Sequence, residues 1–128
     1  MKTIGQMEAD ISQAIVKFEK QYMGRGPSEI RTHILDDMVL VRLRGVLTQA
    51  EQELARSGDL ERGTLLIKSV RTELLEKARP LLESIIREAT GRKVLSLHTD
   101  LSTTSSERVI VFVLDEPVTA PSNSKALK

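Results

Sequence analysis

Two glycines and a proline surround an arginine at residues 24–27, and this segment is the local feature best suited to binding a ligand. Gly24 and Gly26 allow close approach to the backbone amides, and the guanidinium of Arg25 could close on a carboxylate or a phosphate. The glycine spacing is neither that of a Walker loop nor that of a dinucleotide fingerprint. A helix end followed by a tight turn produces the same cluster of Gly and Pro. The segment therefore indicates either an anion site or a simple chain reversal.

A second group of cationic residues lies on two predicted strands. Arg42 and Arg44 share one face of a strand, and Arg31 and His33 lie on the neighbouring strand of a predicted hairpin. Three acidic residues close in sequence oppose this positive charge: Glu29, Asp36 and Asp37. One interpretation is an ion-paired, solvated sheet face. The other is a site for a small anion or a nucleotide, formed by Gly24, Arg25, Gly26, Arg42 and Arg44.

His98 and Asp100 form a polar pair, two residues apart on the same face of a later predicted strand. Such a pair could share a metal ion or a proton. A metal site needs three or four ligands, however, and the chain has no cysteine and one other histidine, His33. No serine lies in a G-x-S-x-G elbow. With no nucleophile, base and oxyanion donor placed together, we predict no catalytic residue, no metal, no cofactor and no enzymatic activity.

The composition restricts the classes of function that the chain can have. Its 128 residues suit one domain. Nineteen basic and 18 acidic residues give a net charge of +1, and aromatic residues are 2%, which disfavours nucleic-acid binding. The longest purely apolar run, residues 109–114, is far shorter than the roughly 20 residues of a membrane span. We therefore expect a cytoplasmic protein without direct membrane insertion.

Apolar residues spaced three and four apart predict three helices. The first covers residues 4–22, and Thr48 with Glu51 forms a capping box that begins the second. The third runs from an Asp59 cap to Thr90, and Pro80 should kink it or split it in two. Its main apolar stripe is predicted at seven positions: Ile67, Val70, Leu74, Ala78, Leu81, Ile85 and Ala89.

Alternating residues predict strands at residues 30–35, 38–44 and 94–101, and a run that is apolar on both faces predicts a strand at residues 108–114. They form two strand pairs, 30–35 with 38–44 and 94–101 with 108–114. The resulting order, α-β-β-α-α-β-β, predicts an α+β fold in which helices pack on one face of a four-stranded, mainly antiparallel sheet. We expect residues 1–116 to form a single domain. Residues 117–128 contain no acidic residue and are predicted to be a disordered C-terminal tail.

The first and third helices offer more apolar surface than four short strands can cover. A folded monomer would therefore leave an apolar patch in contact with water, which is typical of a protein-protein interface. We accordingly predict that the chain forms a homodimer.

Several segments resemble the MpsC-like family of small bacterial proteins. They are residues 24–27 leading into 36–51, and residues 90–94 leading to His98, Asp100 and residues 111–115. The resemblance covers residues 4–116. It implies an association with a sodium-translocating system that generates membrane potential, or with a bicarbonate-related membrane system, and hence a membrane transporter subunit as partner. It implies no catalytic or ligand-binding residue.

Three hypotheses of function follow. The first is a non-enzymatic, homodimeric accessory or regulatory module associated with such a membrane system. The second is a sensor that binds a small anion or nucleotide through residues 24–27 and the nearby arginines. The third is a weak RNA- or DNA-binding module, which the near-neutral charge disfavours. In that third case the long helix would present six basic residues: Arg62, Lys68, Arg71, Lys77, Arg79 and Arg87.

Overall fold

The computed structural model describes residues 2–56 and 60–120 of the chain. The elements follow in the order α1 (Ile4–Tyr22), β1 (Glu29–Leu35), β2 (Met38–Arg44), α2 (Gln49–Arg56), α3 (Leu60–Thr90), β3 (Val94–Ser102) and β4 (Glu107–Leu114). This is the predicted order, and the α+β class is confirmed.

Helix α1 begins and ends on local signals. The Thr3 hydroxyl accepts a hydrogen bond from the backbone N–H of Gln6 at 3.2 Å, and the Gln6 side chain accepts one from the Thr3 N–H at 2.8 Å. This capping box satisfies two of the amides that a helix start leaves unpaired. At the other end, Gly24 has a φ of +84°, a left-handed conformation that stops the helix.

The four strands form one antiparallel sheet in the order β1-β2-β4-β3. Strand β4 is central, with Val41 of β2 and Thr99 of β3 paired on either side of Ile110. The buried residues of β2 and β4 alternate strictly with partly exposed ones. Because successive side chains point to opposite faces, one face of the sheet is covered by helices and the other is open.

Helix α3 is continuous through Pro80, so the proline does not split it. The side that packs on the core repeats every four residues from Ile67 through Leu75. Four of the seven residues of the predicted main stripe are in or packed against the core: Ile67, Ala78, Ile85 and Ala89. Val70, Leu74 and Leu81, all assigned to that stripe, are 55%, 39% and 40% exposed. The prediction of the stripe was wrong at these three positions, because the apolar face is broad and hydrophobicity alone does not say which of its rows faces the sheet.

The first residues of the predicted tail contact the domain. The Val118 N–H donates to the Asp36 carbonyl at 3.0 Å, and Arg92 Nε donates to the Pro117 carbonyl at 3.0 Å. The remainder of that predicted tail, residues 121–128, lies outside the described residues. Among the helices of the described ranges, none combines the length and apolar character needed to cross a bilayer.

Candidate functional site

The predicted arginines of β2 meet on the open face of the sheet. Arg42 Nη2 donates to Glu107 Oε2 at 2.8 Å, and Arg44 Nε lies 3.6 Å from the same oxygen. Arg31 and Glu29 of β1 complete the lining of a surface cavity of about 280 Å³. The hydrogen bond from Arg42 lowers the pKa of the Glu107 carboxyl. Much of the positive charge expected here is therefore already neutralised by carboxylates.

The glycine turn does not join that cavity. Gly24 terminates α1, and the exposed side chain of Arg25 is not part of the cavity lining. Arg42 and Arg44 thus line one cavity together, and Gly24, Arg25 and Gly26 are not part of its lining. An anion site at these five residues stays a prediction.

His98 and Asp100 lie on the open face of the edge strand β3, and both are exposed. Asp100 Oδ1 accepts a hydrogen bond from its neighbour Leu101 N–H at 2.8 Å and lies 3.3 Å from Lys68 Nζ. The backbone hydrogen bond and then the lysine lower the pKa of Asp100. Within residues 2–56 and 60–120, no group of three or more His, Asp or Glu side chains is placed to hold a metal ion.

A buried charge cluster, formed by Glu19, Glu51, Arg71 and Arg108, is the most unusual chemical feature of the core. Glu19 is fully buried, and Arg71 and Arg108 are 3% and 2% exposed. Arg71 donates from Nε and Nη2 to the two carboxylate oxygens of Glu51, at 2.9 and 2.7 Å. Arg71 Nη1 lies 3.9 Å from Glu19 Oε1. The cluster thereby connects α1, α2, α3 and the start of β4.

The cluster is only partly satisfied by hydrogen bonds. Both carboxylate oxygens of Glu19, Nη1 of Arg71, and Nε and Nη1 of Arg108 are buried without a hydrogen-bond partner among the described residues. Unpaired buried polar atoms are rare in native proteins, because each one loses its hydration without compensation. Their concentration around two arginines marks the place where the core departs from ordinary packing.

Burial shifts the pKa values of these groups away from their usual ranges. Burial raises the pKa of Glu19, although Arg108 and Arg71 oppose the shift. Burial likewise lowers the pKa of Arg108, against the attraction of Glu19. For Glu51, burial alone would raise the pKa, but hydrogen bonds from Arg71 and Thr48 outweigh it and lower the value. The two carboxyl groups of the cluster therefore have pKa values shifted in opposite directions.

The sequence analysis missed this cluster, although its periodicity was visible. Arg71 lies four residues from both Ile67 and Leu75, so it occupies the buried row of α3. Arg108 has the same parity as Ile110 in β4, which places it on the helix-covered face. A charged residue at a position whose period predicts burial is the signal that could have found both arginines.

A second feature is an exposed apolar row on α3, hereafter the α3 row, formed by Leu66, Val70, Leu74 and Leu81. The residues recur at intervals of four and seven, which aligns them on one side of the helix. Their side chains are between 39% and 55% exposed. The expected apolar surplus is therefore present on the third helix. On α1, the corresponding residues Met7, Ile11, Ile15 and Phe18 are buried.

Comparisons with known proteins identify the relatives of this chain. An uncharacterized protein of Bacillus subtilis, YbcI, is 46% identical over 113 residues, which cover 88% of this chain and 89% of the relative. A second uncharacterized protein of that organism, YrhF, is 28% identical over 111 residues, covering 85% and 88%. No solved structure gives a significant match. The family model described as "Na+-translocating membrane potential-generating system (MpsC)" matches residues 3–116, and the chain belongs to this MpsC family.

Proposed function

We propose that this protein is a non-enzymatic, homodimeric accessory module of a sodium-translocating membrane system, and that two copies associate through the α3 row. The description of the MpsC family supplies the link to sodium translocation. In this proposal other components carry the ion, and the dimer acts on them through protein contacts.

The single observation that carries the proposal is the exposure of the α3 row. Leu66 and Leu81 are separated by 15 residues, which corresponds to roughly 22 Å along a helix that rises 1.5 Å per residue. The neighbouring Leu65 is 62% exposed and widens the apolar surface at one end. A continuous apolar strip of this length on a folded monomer is typical of a protein-protein interface.

The charges beside the α3 row favour a second copy as the occupant. Glu73 and Lys77, both exposed, flank Leu74 on the same helix. In an antiparallel pair of α3 helices with its twofold axis near Leu74, Glu73 of one copy would approach Lys77 of the other. A twofold interface must be complementary to itself. A surface that carries both a negative and a positive charge beside the α3 row meets this requirement.

Sedimentation velocity at micromolar concentration tests the dimer. We expect the wild-type chain to sediment as a dimer and the double variant Val70→Lys/Leu74→Lys to sediment as a monomer, because two lysines would be forced into the apolar contact. Leu35→Lys is the matched control, since Leu35 is 50% exposed on β1 and lies outside the row. A monomeric wild type, or a dimer that survives the double substitution, would contradict the proposal.

A complementation experiment tests the functional part. In cells that lack the chain, we expect the sodium-dependent part of the membrane potential, followed with a potential-sensitive dye, to fall. The wild type and Leu35→Lys should restore it, whereas Val70→Lys/Leu74→Lys should not. An unchanged potential in the deletion strain would refute the accessory role, even if the dimer is found.

The structure gives the alternative of nucleic-acid binding less support than the sequence does. Of the six basic residues assigned to it, Arg71 is buried and bonded to Glu51, and Lys68 pairs with Asp100. Arg79 donates to Glu83 at 2.8 Å. The long helix therefore offers less free positive charge than its sequence indicates, which weakens its attraction for phosphate backbones.

A further inference from the structure

A small cavity lies between α3 and the β3–β4 hairpin, next to the buried charge cluster. Its volume is about 80 Å³. Lys68 and Arg71 of α3, Thr99 of β3 and Arg108 of β4 all contribute to its lining. Lys68 and Asp100, whose side chains are 40% and 82% exposed, form an ion pair at the solvent side of the cavity.

Three of the residues that line the cavity, Arg71, Thr99 and Arg108, carry polar atoms that lack a hydrogen-bond partner within the ranges that the structure describes. Nη1 of Arg71, Nε and Nη1 of Arg108, and the hydroxyl of Thr99 are buried and have no hydrogen-bond partner among the described residues. All four unpaired groups can donate a hydrogen bond, and the three arginine nitrogens cannot accept one. A ligand with several acceptor oxygens has the chemistry that these donors lack.

The charges of the cluster also favour the binding of an anion. The carboxylate of Glu51 already accepts hydrogen bonds from Arg71 and Thr48. Within the described part of the chain, no carboxylate lies within ion-pair distance of Arg108. Glu19 and, to a smaller extent, Glu51 are the carboxylates whose charge opposes the desolvation of Arg108, and burial raises the pKa of Glu19. A buried guanidinium without a close counter-ion is costly, and an anion bound beside it would remove that cost.

We propose that this cavity binds one small inorganic oxyanion, held by Arg71, Arg108, Lys68 and Thr99. Water occupies roughly 30 Å³ per molecule in the liquid, so the cavity admits two to three waters or one ion of about that volume. Phosphate and sulfate are compact oxyanions of this kind, whereas a nucleotide would have to leave its sugar and base outside the cavity. The site differs from the arginines of the open face, and it does not depend on the proposed dimer.

Isothermal titration calorimetry of the full chain with sodium phosphate and with sodium sulfate tests the site. Ionic strength is held constant with gluconate, an anion too large for the cavity. We expect one saturable site per chain for both ions, because the chemistry recognised is a compact oxyanion. AMP in the same experiment should bind more weakly than phosphate, because its sugar and base gain no contact in the cavity. Binding of AMP that is as tight as that of phosphate, or tighter, would contradict the preference for a small inorganic oxyanion.

Three variants locate the binding. Arg108→Met should weaken phosphate binding at least about tenfold, the usual effect of losing a charge-assisted hydrogen bond. Thr99→Val should weaken it by roughly threefold to tenfold, as expected for a neutral hydrogen bond. Arg42→Met, which removes an arginine of the open face, is the control and should bind like the wild type. If Arg108→Met does not fold, Lys68→Met and Thr99→Val carry the test.

Two results would overturn the proposal. In the first, the wild type shows no saturable heat up to roughly 50 mM phosphate, so that ordered water rather than an anion fills the cavity. In the second, Arg42→Met weakens binding as much as Thr99→Val does, which would place the ion on the open face.

Discussion

The guanidinium of Arg71 forms a two-point contact with the carboxylate of Glu51, with N···O distances of 2.9 and 2.7 Å. The same side chain donates from Nη2 to the carbonyl of Val46 at 2.9 Å. Parallel hydrogen bonds of this kind fix both distance and orientation. Arg71 therefore holds the short helix α2, and the loop that precedes it, against the long helix α3.

We expect Arg71→Met to lower the free energy of unfolding by about 3–5 kcal/mol, the cost of removing one partner from a buried ion pair. The loss would leave Glu51 and Glu19 without their nearest cation. Denaturant unfolding followed by circular dichroism measures the change. Arg56→Met breaks an exposed ion pair with Glu53 and is the control. It should leave the free energy of unfolding nearly unchanged, because exposed ion pairs contribute little. Equal losses in the two variants would show that the buried contact has no special weight.

The raised pKa of Glu19 gives stability a definite dependence on pH. Between the usual value of 4.5 and the raised value, the native state holds a proton that the unfolded state has lost. The contribution of Glu19 to stability is therefore greatest at low pH, and it falls as pH rises through this window, by at most about 1.4 kcal/mol per pH unit. Glu19→Gln cannot titrate and should lack this loss.

The measurement is the difference in unfolding free energy between Glu19→Gln and the wild type, taken from pH 4 to pH 8. Because Glu51 is present in both proteins, the difference isolates Glu19. We expect the variant to gain on the wild type as pH rises. Glu76→Gln, on the exposed surface of α3, is the matched control. A difference that is constant with pH would show that burial does not raise the pKa of Glu19.

Gly63 sets the distance between α2 and α3. A methyl group added there would overlap the carbonyl oxygen of Leu54 and lie 3.1 Å from its carbonyl carbon. Replacing glycine by alanine inside a helix usually stabilises by about 0.5–1 kcal/mol. Here we expect Gly63→Ala to destabilise by about 1–3 kcal/mol, because the backbone of α2 must move. Thermal unfolding measures the change in Tm. We expect Tm to fall in Gly63→Ala, and a rise would contradict a close contact between α2 and α3 at this position.

The element order could be predicted from the sequence because each element has its own period. Helix α1 has a stripe bounded by a cap and a glycine, and each strand is either an alternating or a continuous apolar run bounded by turn residues, so local rules were sufficient. The buried row of α3 could not be chosen in the same way. Leu74 and Leu75 are equally apolar, and only the position of the sheet decides that Leu75 is buried and Leu74 is exposed.

The predicted and observed charged sites differ for a related reason. Arg42 and Arg44 were found because they alternate on a strand, but their shared partner Glu107 is more than 60 residues away and enters through strand pairing. Glu19 and Arg71 are 52 residues apart and meet through helix packing. Contacts between elements distant in sequence depend on the tertiary structure, which no local pattern contains.

The role of Glu107 yields a last prediction, which bears on the anion site predicted for the open face. Glu107→Gln removes the carboxylate that pairs with Arg42 and Arg44, so their positive charge becomes available. We expect phosphate to shift the Arg42 Nε–H resonance in the variant but not in the wild type at neutral pH, with millimolar affinity because exposed charges are screened. Glu53→Gln, which frees Arg56 instead, is the control. Acidification should mimic Glu107→Gln only at unusually low pH, since the hydrogen bond from Arg42 lowers the pKa of Glu107. If phosphate shifts the wild-type resonance equally, Glu107 does not block the arginines, and the open face is itself an anion site.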